Sequence, residues 1–239
     1  MASEHVNRIL CAADPNGSVD AIERLLATAD EDGVDAIALL GDIGERGDGH
    51  RAVFRALARA RCPVFWVPGS GDAPIEHYLH EAFTIEMAFP LLRGVHGTAA
   101  FGPGGLLLAG FGGEIDDEPR HFRDERNKLS YPRWEAEYRL KVLGEFDYNE
   151  LVLLFWAAPA PKGLELRGSG AVAELIGTYR PRLALCAGEH RVEALGRSLV
   201  VAPGRLRDGH CAVADLHERT AELRELGTSA AAHRANRAL

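Results

Sequence analysis

The sequence lacks the features that would direct it to a membrane, to export or to nucleic acid. No apolar run approaches the roughly 18 to 20 residues that cross a bilayer, and Glu4 stands where a signal peptide carries basic residues. The 27 Lys and Arg residues are outnumbered by 35 Asp and Glu residues, and the net charge of −8 repels nucleic-acid phosphates. We therefore expect a cytoplasmic protein that binds neither membrane nor nucleic acid.

Several signatures of metal, redox and nucleotide chemistry are missing as well. The four cysteines are far apart and form no CxxC pair, so we expect buried free thiols rather than a zinc or redox site. The sequence contains no GxSxG, no P-loop and no GxGxxG followed by the expected acidic residue. Nucleophilic hydrolases, nucleotide triphosphatases and dehydrogenases therefore have no motif to support them.

The composition is that of an ordinary globular protein. Of the 239 residues, 46% are hydrophobic and 26% are charged, which excludes disorder for the bulk of the chain. This length fits one large domain, which we place at 1–226. The remaining segment 227–239 is rich in Ala and Arg and is expected to be a frayed tail.

Short apolar segments alternate with segments of helical periodicity along most of the chain. We predict strands at 8–13, 35–40, 63–67, 151–155 and 182–187. We predict helices at 19–29, 50–60, 74–82, 133–143 and 170–178. Hairpins are expected within 98–113, 191–202 and 211–226, and an exposed loop, either a lid or a connector, at 116–130. This alternation is typical of an α/β fold with a mostly parallel sheet.

Polar residues follow several of the predicted strands. In open α/β sheets, ligands bind at the carboxyl ends of the strands, so these residues mark a possible site. They are Asp14, Asn16, Asp42, Ser70, Asp72, Glu189 and His190. Asp and Asn also form turns and cap helices at such positions, and this structural interpretation stays open beside the functional one.

The order of these loops resembles the calcineurin-like metallophosphoesterase superfamily. Its members carry DxH, GD, GNH followed by Asp or Glu, a His before a proline pair, and GHxH. The corresponding stretches here read AADPNG, LLGDIGERGD, VPGSGDAP, FWAAPAPKG and CAGEHR, and the resemblance covers 8–204. It implies a four-layer α/β/β/α sandwich of the metallophosphoesterase type. In active members it also implies a two-metal site that hydrolyses phosphate esters.

The metal ligands of the family carry over only in part. Asp14, Asp42 and His190 match ligand positions, and Asp72 matches the acidic residue after GNH. The other motif positions hold Asn16, Ser70, Gly71, Ala157 and Gly188. Three matching ligands are too few to hold two ions tightly. The chain thus resembles a bacterial branch that keeps the framework of the family while its metal-ligand motifs are degenerate.

Two functions follow from this resemblance. The first is a protein with an incomplete two-metal site that lacks standard phosphoesterase activity and acts as a binding or regulatory protein. Its cleft would bind a small phosphate-bearing ligand. The residues expected in that cleft are Ser70, Gly71, Asp72, Trp156, Gly188 and Glu189.

The alternative is an active phosphoesterase with a rebuilt site. Asp14, Asn16 and Asp42 would then hold one Mg²⁺ or Mn²⁺, because oxygen donors suit hard cations. His190 would act as an acid or stabilise a phosphoryl oxygen, with Glu189 or Glu114 contributing from the side. A third hypothesis, a different reaction in the same cleft, would pair His190 with Glu189 or Asp72 as acid and base.

The aromatic residues and one further histidine have structural interpretations. We expect Trp66 in the core, and Trp134 and Tyr138 to cover the sheet. Trp156, beside a position where the family has a ligand, is expected either to fill the space of the missing metals or to stack on a ligand. His210 is expected to be a turn residue rather than a ligand.

Overall fold

The computed structural model describes residues 6–45, 49–116, 125–160 and 168–226. Every strand predicted from the sequence is present in it. The first strands are β1 Arg8–Ala13, β2 Ala36–Leu40, β3 Val64–Val67, β4 Leu92–Gly94, β5 Thr98–Phe101, β6 Leu106–Phe111 and β7 Glu114–Asp116. The later ones are β8 Ser130–Pro132, β9 Glu150–Phe155, β10 Leu183–Cys186, β11 Arg191–Leu195, β12 Ser198–Ala202, β13 His210–Asp215 and β14 Thr220–Glu225.

These strands form two six-stranded sheets and a small two-stranded one. The first sheet has the order β14-β13-β1-β2-β3-β4 and is parallel from β1 to β4, with β13 and β14 antiparallel. The second has the order β11-β12-β10-β9-β6-β5 and is parallel except at its two edges, β11 and β5. Strands β7 and β8 pair separately. Both large sheets therefore have the parallel centre that the alternation of strands and helices predicts.

Five α-helices lie within the described parts of the chain. They are α1 Val19–Asp32, α2 His50–Leu57, α3 Ile75–Ala88, α4 Arg133–Leu140 and α5 Gly170–Tyr179. Helix α1 begins where the Ser18 hydroxyl accepts a hydrogen bond from the Ala21 N–H, and it ends at Gly33 in the left-handed region. Its ends are therefore fixed by residues whose roles are readable in the sequence.

The core has three parts, which define four layers. Alternate residues of β1 serve two of them: Leu10 packs toward α1, α2 and α3, whereas Ile9 and Cys11 pack between the two sheets. The third part lies between the second sheet and helices α4 and α5. The order is therefore helix, sheet, sheet, helix, and the predicted α/β/β/α sandwich is confirmed.

Some local predictions are wrong. Trp134 and Tyr138 do not cover the sheet, because Ala136 and Leu140 form the buried face of α4 and leave both aromatic side chains exposed. Leu129, expected in an exposed loop, is fully buried, and its N–H donates to the Ser70 carbonyl.

Other predictions can be compared only in part. Helix α3 continues six residues beyond the predicted end at 82. Residues 117–124 of the predicted loop and the tail 227–239 lie outside the described residues. All four cysteines are free, and three of them are buried. Within the described residues, no helix is long and apolar enough to cross a membrane.

Candidate functional site

The loops after β1 and β2 bring the first predicted site residues together. The Asp14 N–H donates to the Gly41 carbonyl at 3.2 Å, and the Asn16 N–H donates to the Asp42 carbonyl at 2.9 Å. Asp14, Asn16 and Asp42 have φ values of 51°, 47° and 45° in the left-handed region, which Asp and Asn tolerate better than most residues. Local backbone geometry thus accounts for these residue types, and it also places their side chains at one sheet edge.

The loop after β3 closes on Asp42. The Gly71 N–H donates to Asp42 Oδ1 at 2.7 Å. Gly69 approaches so closely that a Cβ there would lie 2.1 Å from Asp42 Oδ1. Glycine at position 69 is therefore required by the contact between the two loops.

Asp72 is fully buried and accepts three hydrogen bonds. Its donors are the Gly69 N–H at 2.7 Å, the Gly44 N–H at 3.0 Å and His50 Nε2 at 2.8 Å. His50, from the first turn of α2, is itself 2% exposed. The structure therefore pairs Asp72 with His50 in the interior and not with His190, so of the two pairings in the third hypothesis only that of His190 with Glu189 stays a prediction.

Burial and mutual repulsion raise the pKa values of the two remaining carboxyl groups, Asp14 and Asp42. Burial, followed by the charge of Asp42, raises the pKa of Asp14 to about 7. Burial, followed by the charge of Asp72, raises the pKa of Asp42 to about 6. Near neutral pH, the three carboxyl groups at this edge of the first sheet therefore carry less than three negative charges in total.

Trp156, directly after β9, spans the space between the two sheets at this edge. A Cβ at Gly41 would lie 2.2 Å from Trp156 Cδ1, so the indole ring packs against the Gly41 backbone. The indole N–H lowers the pKa of both Asp14 and Asp42. Even so, Nε1 has no well-aligned hydrogen-bond partner among the described residues, and the same is true of Asp14 Oδ1. The ring thus brings a hydrogen-bond donor to the two carboxylates.

An open cleft of about 1090 Å³ lies on the other side of Asp14 and Trp156. The predicted site residues that line it are Asp14, Trp156, Gly188, Glu189 and His190. The described lining does not include Asn16, Asp42, Ser70, Gly71 or Asp72. The structure therefore divides the predicted site into an inner carboxylate layer at the first sheet and an open cleft at the second.

Two histidines and an arginine form one wall of the cleft. His190 Nδ1 lies 2.7 Å from the Pro203 carbonyl, which can only accept, so Nδ1 carries a proton and a neutral ring keeps Nε2 as its acceptor. The His210 ring lies 4.5 Å from that of His190. Arg205 is largely exposed, and its Nε lies 3.8 Å from Asp14 Oδ2. Arg205 therefore gives this wall a permanent positive charge and several hydrogen-bond donors for an anion.

The donors present do not fit a two-metal centre. Within the described part of the chain, no group of three or more His, Cys, Asp or Glu residues is placed to hold an ion. Asp42 Oδ1 and both carboxylate oxygens of Asp72 already accept hydrogen bonds. The indole N–H of Trp156, a donor without a lone pair, lies near Asp14 and Asp42. A centre of two ions needs several protein ligands for each ion.

Two residues of the site, His50 and Arg205, are not predicted from the sequence, and the prediction for a third, His210, is wrong. His50 gives no signal, because it lies in a helix far along the chain from Asp72. Arg205 follows β12 as the other predicted site residues follow their strands, and the same criterion would have found it. His210, interpreted as a turn residue, is the first residue of β13 and lies against His190.

Comparison with known proteins agrees with this architecture. The model of the family described as metallophosphoesterase, calcineurin superfamily, matches residues 49–226. The chain therefore belongs to the calcineurin superfamily of metallophosphoesterases. The match begins after the loops that carry Asp14 and Asp42. No curated protein sequence matches this chain.

Solved structures extend the comparison over nearly the whole chain. TT1561 of Thermus thermophilus is 42% identical over 93% of this chain and 100% of its own, with a TM-score of 0.87. A dimetal phosphatase from Danio rerio is 11% identical, covers 93% of this chain and 99% of its own, and has a TM-score of 0.59. Phosphopantetheinyl hydrolase from Mycobacterium tuberculosis is 12% identical, covers 84% and 90%, and has a TM-score of 0.57. The last two comparisons show the shared fold alone.

Proposed function

We propose that this protein lacks standard two-metal phosphoesterase activity and binds a phosphate-bearing small molecule in the cleft, as a binding or regulatory protein. The main support is the position of Trp156. Its indole N–H faces Asp14 and Asp42, where a metal centre would need lone pairs.

The cleft wall supports an anionic ligand. Arg205 carries a permanent charge and a planar set of donors that suits phosphate oxygens, and its side chain is free to turn away from Asp14. His190 and His210 add donors when they are protonated. The cleft volume of about 1090 Å³ is slightly above the range, about 300 to 1,000 Å³, that is typical of small-molecule sites.

The first test is metal content together with phosphate binding. We expect protein purified in excess Mn²⁺ and then dialysed to retain no ion by mass spectrometry. We also expect hydrolysis of bis(p-nitrophenyl) phosphate at the background rate. Inorganic phosphate should bind in a calorimeter, and Arg205→Ala should weaken that binding at least tenfold. Arg207→Ala is the matched control, since Arg207 is exposed in the same short turn but does not line the cleft. Two retained ions per chain with hydrolysis would overturn the proposal.

A second candidate is a phosphoesterase with one hard cation. It is favoured by Asp14 Oδ1, a buried oxygen with no hydrogen-bond partner among the described residues, which an ion would satisfy. Asp14, Asn16 and Asp42 would then hold one Mg²⁺ or Mn²⁺, and His190 would stabilise the phosphoryl group. This candidate requires one retained ion per chain and activity that is lost in Asp14→Ala and Asp42→Ala. If those variants keep any hydrolysis seen in the wild type, it is wrong.

A further inference from the structure

Helix α3 exposes an apolar stripe to solvent. Leu79, Phe83 and Met87 lie at successive i, i+4 positions, so their side chains follow one line along the helix. Phe83 is 60% exposed and Met87 is 88% exposed. The opposite side of the helix packs Tyr78, Ala82 and Ile85 into the core. The exposed stripe is therefore separate from the face by which α3 packs on the sheet.

The apolar surface continues past the end of the helix. Phe89 and Leu91, in the segment that leads into β4, are both exposed. Leu91 and Phe101 line the same groove, which has a volume of about 360 Å³. Phe101 belongs to β5, so the surface runs from α3 across one end of both sheets. We call these six residues the α3 patch: Leu79, Phe83, Met87, Phe89, Leu91 and Phe101.

The α3 patch is as large as the largest apolar patches that monomeric proteins usually expose. Its side chains are between 36% and 88% exposed. With about 200 Å² for each fully exposed large side chain, the patch presents about 600 Å² of apolar area. Monomeric proteins rarely expose more than this, and a stable interface buries about 800 Å² on each partner. A polar rim would supply the difference, so the patch has the size of one side of a dimer interface.

The stripe is also complementary to itself. If two α3 helices pack antiparallel about a two-fold axis through Phe83, Leu79 of one copy faces Met87 of the other on both sides of the axis. Thr84 and Ala88, in the adjacent row, are small and let the helices approach. We propose that the α3 patch is a homodimer interface in which α3 packs against α3 of a second copy.

The patch lies beside an edge of each large sheet, and this position also favours a second copy of the chain as its partner. Strand β4 is the last strand of the first sheet and β5 is the last strand of the second, so both sheets end here. Uncovered edge strands are open to unwanted pairing. A second copy seated on the α3 patch would cover both edges at once.

The test is the molar mass of the full chain in solution, measured by light scattering after size-exclusion chromatography. We expect the wild type to dimerise through the α3 patch and Phe83→Glu to lose this dimerisation. The dissociation constant of the dimer should be at least 100-fold higher for Phe83→Glu than for the wild type. Trp134→Glu is the matched control, because Trp134 is 59% exposed on α4, on the opposite outer layer. Circular dichroism verifies that both variants fold, as the exposure of both side chains predicts.

A charge pair tests the register of the helices. Because residue 79 faces residue 87 of the partner, Leu79→Lys combined with Met87→Glu places opposite charges together and should preserve association. Leu79→Lys combined with Met87→Lys places like charges together and should abolish it. A monomeric wild type, or assembly that Phe83→Glu leaves unchanged, would overturn the proposal. Equal behaviour of the two double variants would overturn the antiparallel register.

Discussion

The buried carboxylate of Asp72 offers the sharpest test of how the inner layer is held together. We consider Asp72→Asn, which preserves shape and removes the charge. The three donors, at Gly69, Gly44 and His50, lie 2.7 to 3.0 Å from the carboxylate oxygens. An amide has a single acceptor oxygen, so its NH₂ group must face at least one of these donors.

The magnitude follows from that mismatch. If the amide oxygen takes the place of Oδ1, it satisfies Gly44 and His50, and the NH₂ group faces the Gly69 N–H. A lost hydrogen bond to a charged group costs about 1.5 to 3 kcal/mol, and the two bonds that remain lose their charge assistance. Relief of the repulsion that raises the pKa of Asp42 offsets a part of this. We therefore expect a loss of about 2 to 3 kcal/mol in the free energy of unfolding.

Urea denaturation followed by circular dichroism at pH 8 measures this loss. The m value should stay constant, because the exposed surface of the unfolded state does not change. Asp147→Asn, an exposed position, is the control and should change stability by less than about 0.5 kcal/mol. A loss below about 1 kcal/mol for Asp72→Asn would refute the reasoning, since the three donors would then not depend on the charge.

Three further predictions concern other parts of the chain. Burial, followed by the charge of Arg139, lowers the pKa of the half-buried His96 to about 4. The unfolded state therefore takes up this proton first, and the contribution of His96 to stability should fall by up to about 3 kcal/mol between pH 7 and pH 4. Asp14 and Asp42, whose pKa values are raised, act in the opposite direction, so the contribution of His96 is measured against His96→Asn, which keeps an acceptor for the Gly112 N–H. The difference in stability between the two proteins, from urea titrations, should change by this amount over that range. Ser18→Ala should cost about 1 kcal/mol through loss of the α1 cap, with Ser18→Asn nearly neutral in the same assay. Ellman's reagent should leave the buried thiols unreacted until urea unfolds the protein, and more than one reactive thiol in the native state would contradict this.

Most of the fold could be predicted from the sequence, because its signals are local. The apolar run 8–13 and the periodicity of 19–29 identify β1 and α1 without reference to any distant residue. The failures are also local in origin. The size of Trp134 and Tyr138 suggests that they cover the sheet, whereas the spacing of Ala136 and Leu140 already marks the other face of α4 as the buried one.

The candidate site could be predicted only as a set of strand ends. Sequence position brings Asp14 and Asp42 to one edge, because consecutive parallel strands end at the same side of a sheet. It does not show which side of each loop faces solvent. Asp72 therefore enters the interior, whereas Glu189 lines the cleft, although both follow strands in the same way.

The sequence by itself determined the order of strands and helices and the family resemblance of the loops, since both depend on residues close together in the chain. Tertiary structure decided which side chains meet across the loops. His50 reaches Asp72 from 22 positions away, and Arg205 reaches Asp14 because its backbone forms a β-bridge with Ala13, the residue before Asp14. Such contacts depend on how distant segments pair and pack, and no periodicity or motif in the sequence encodes that.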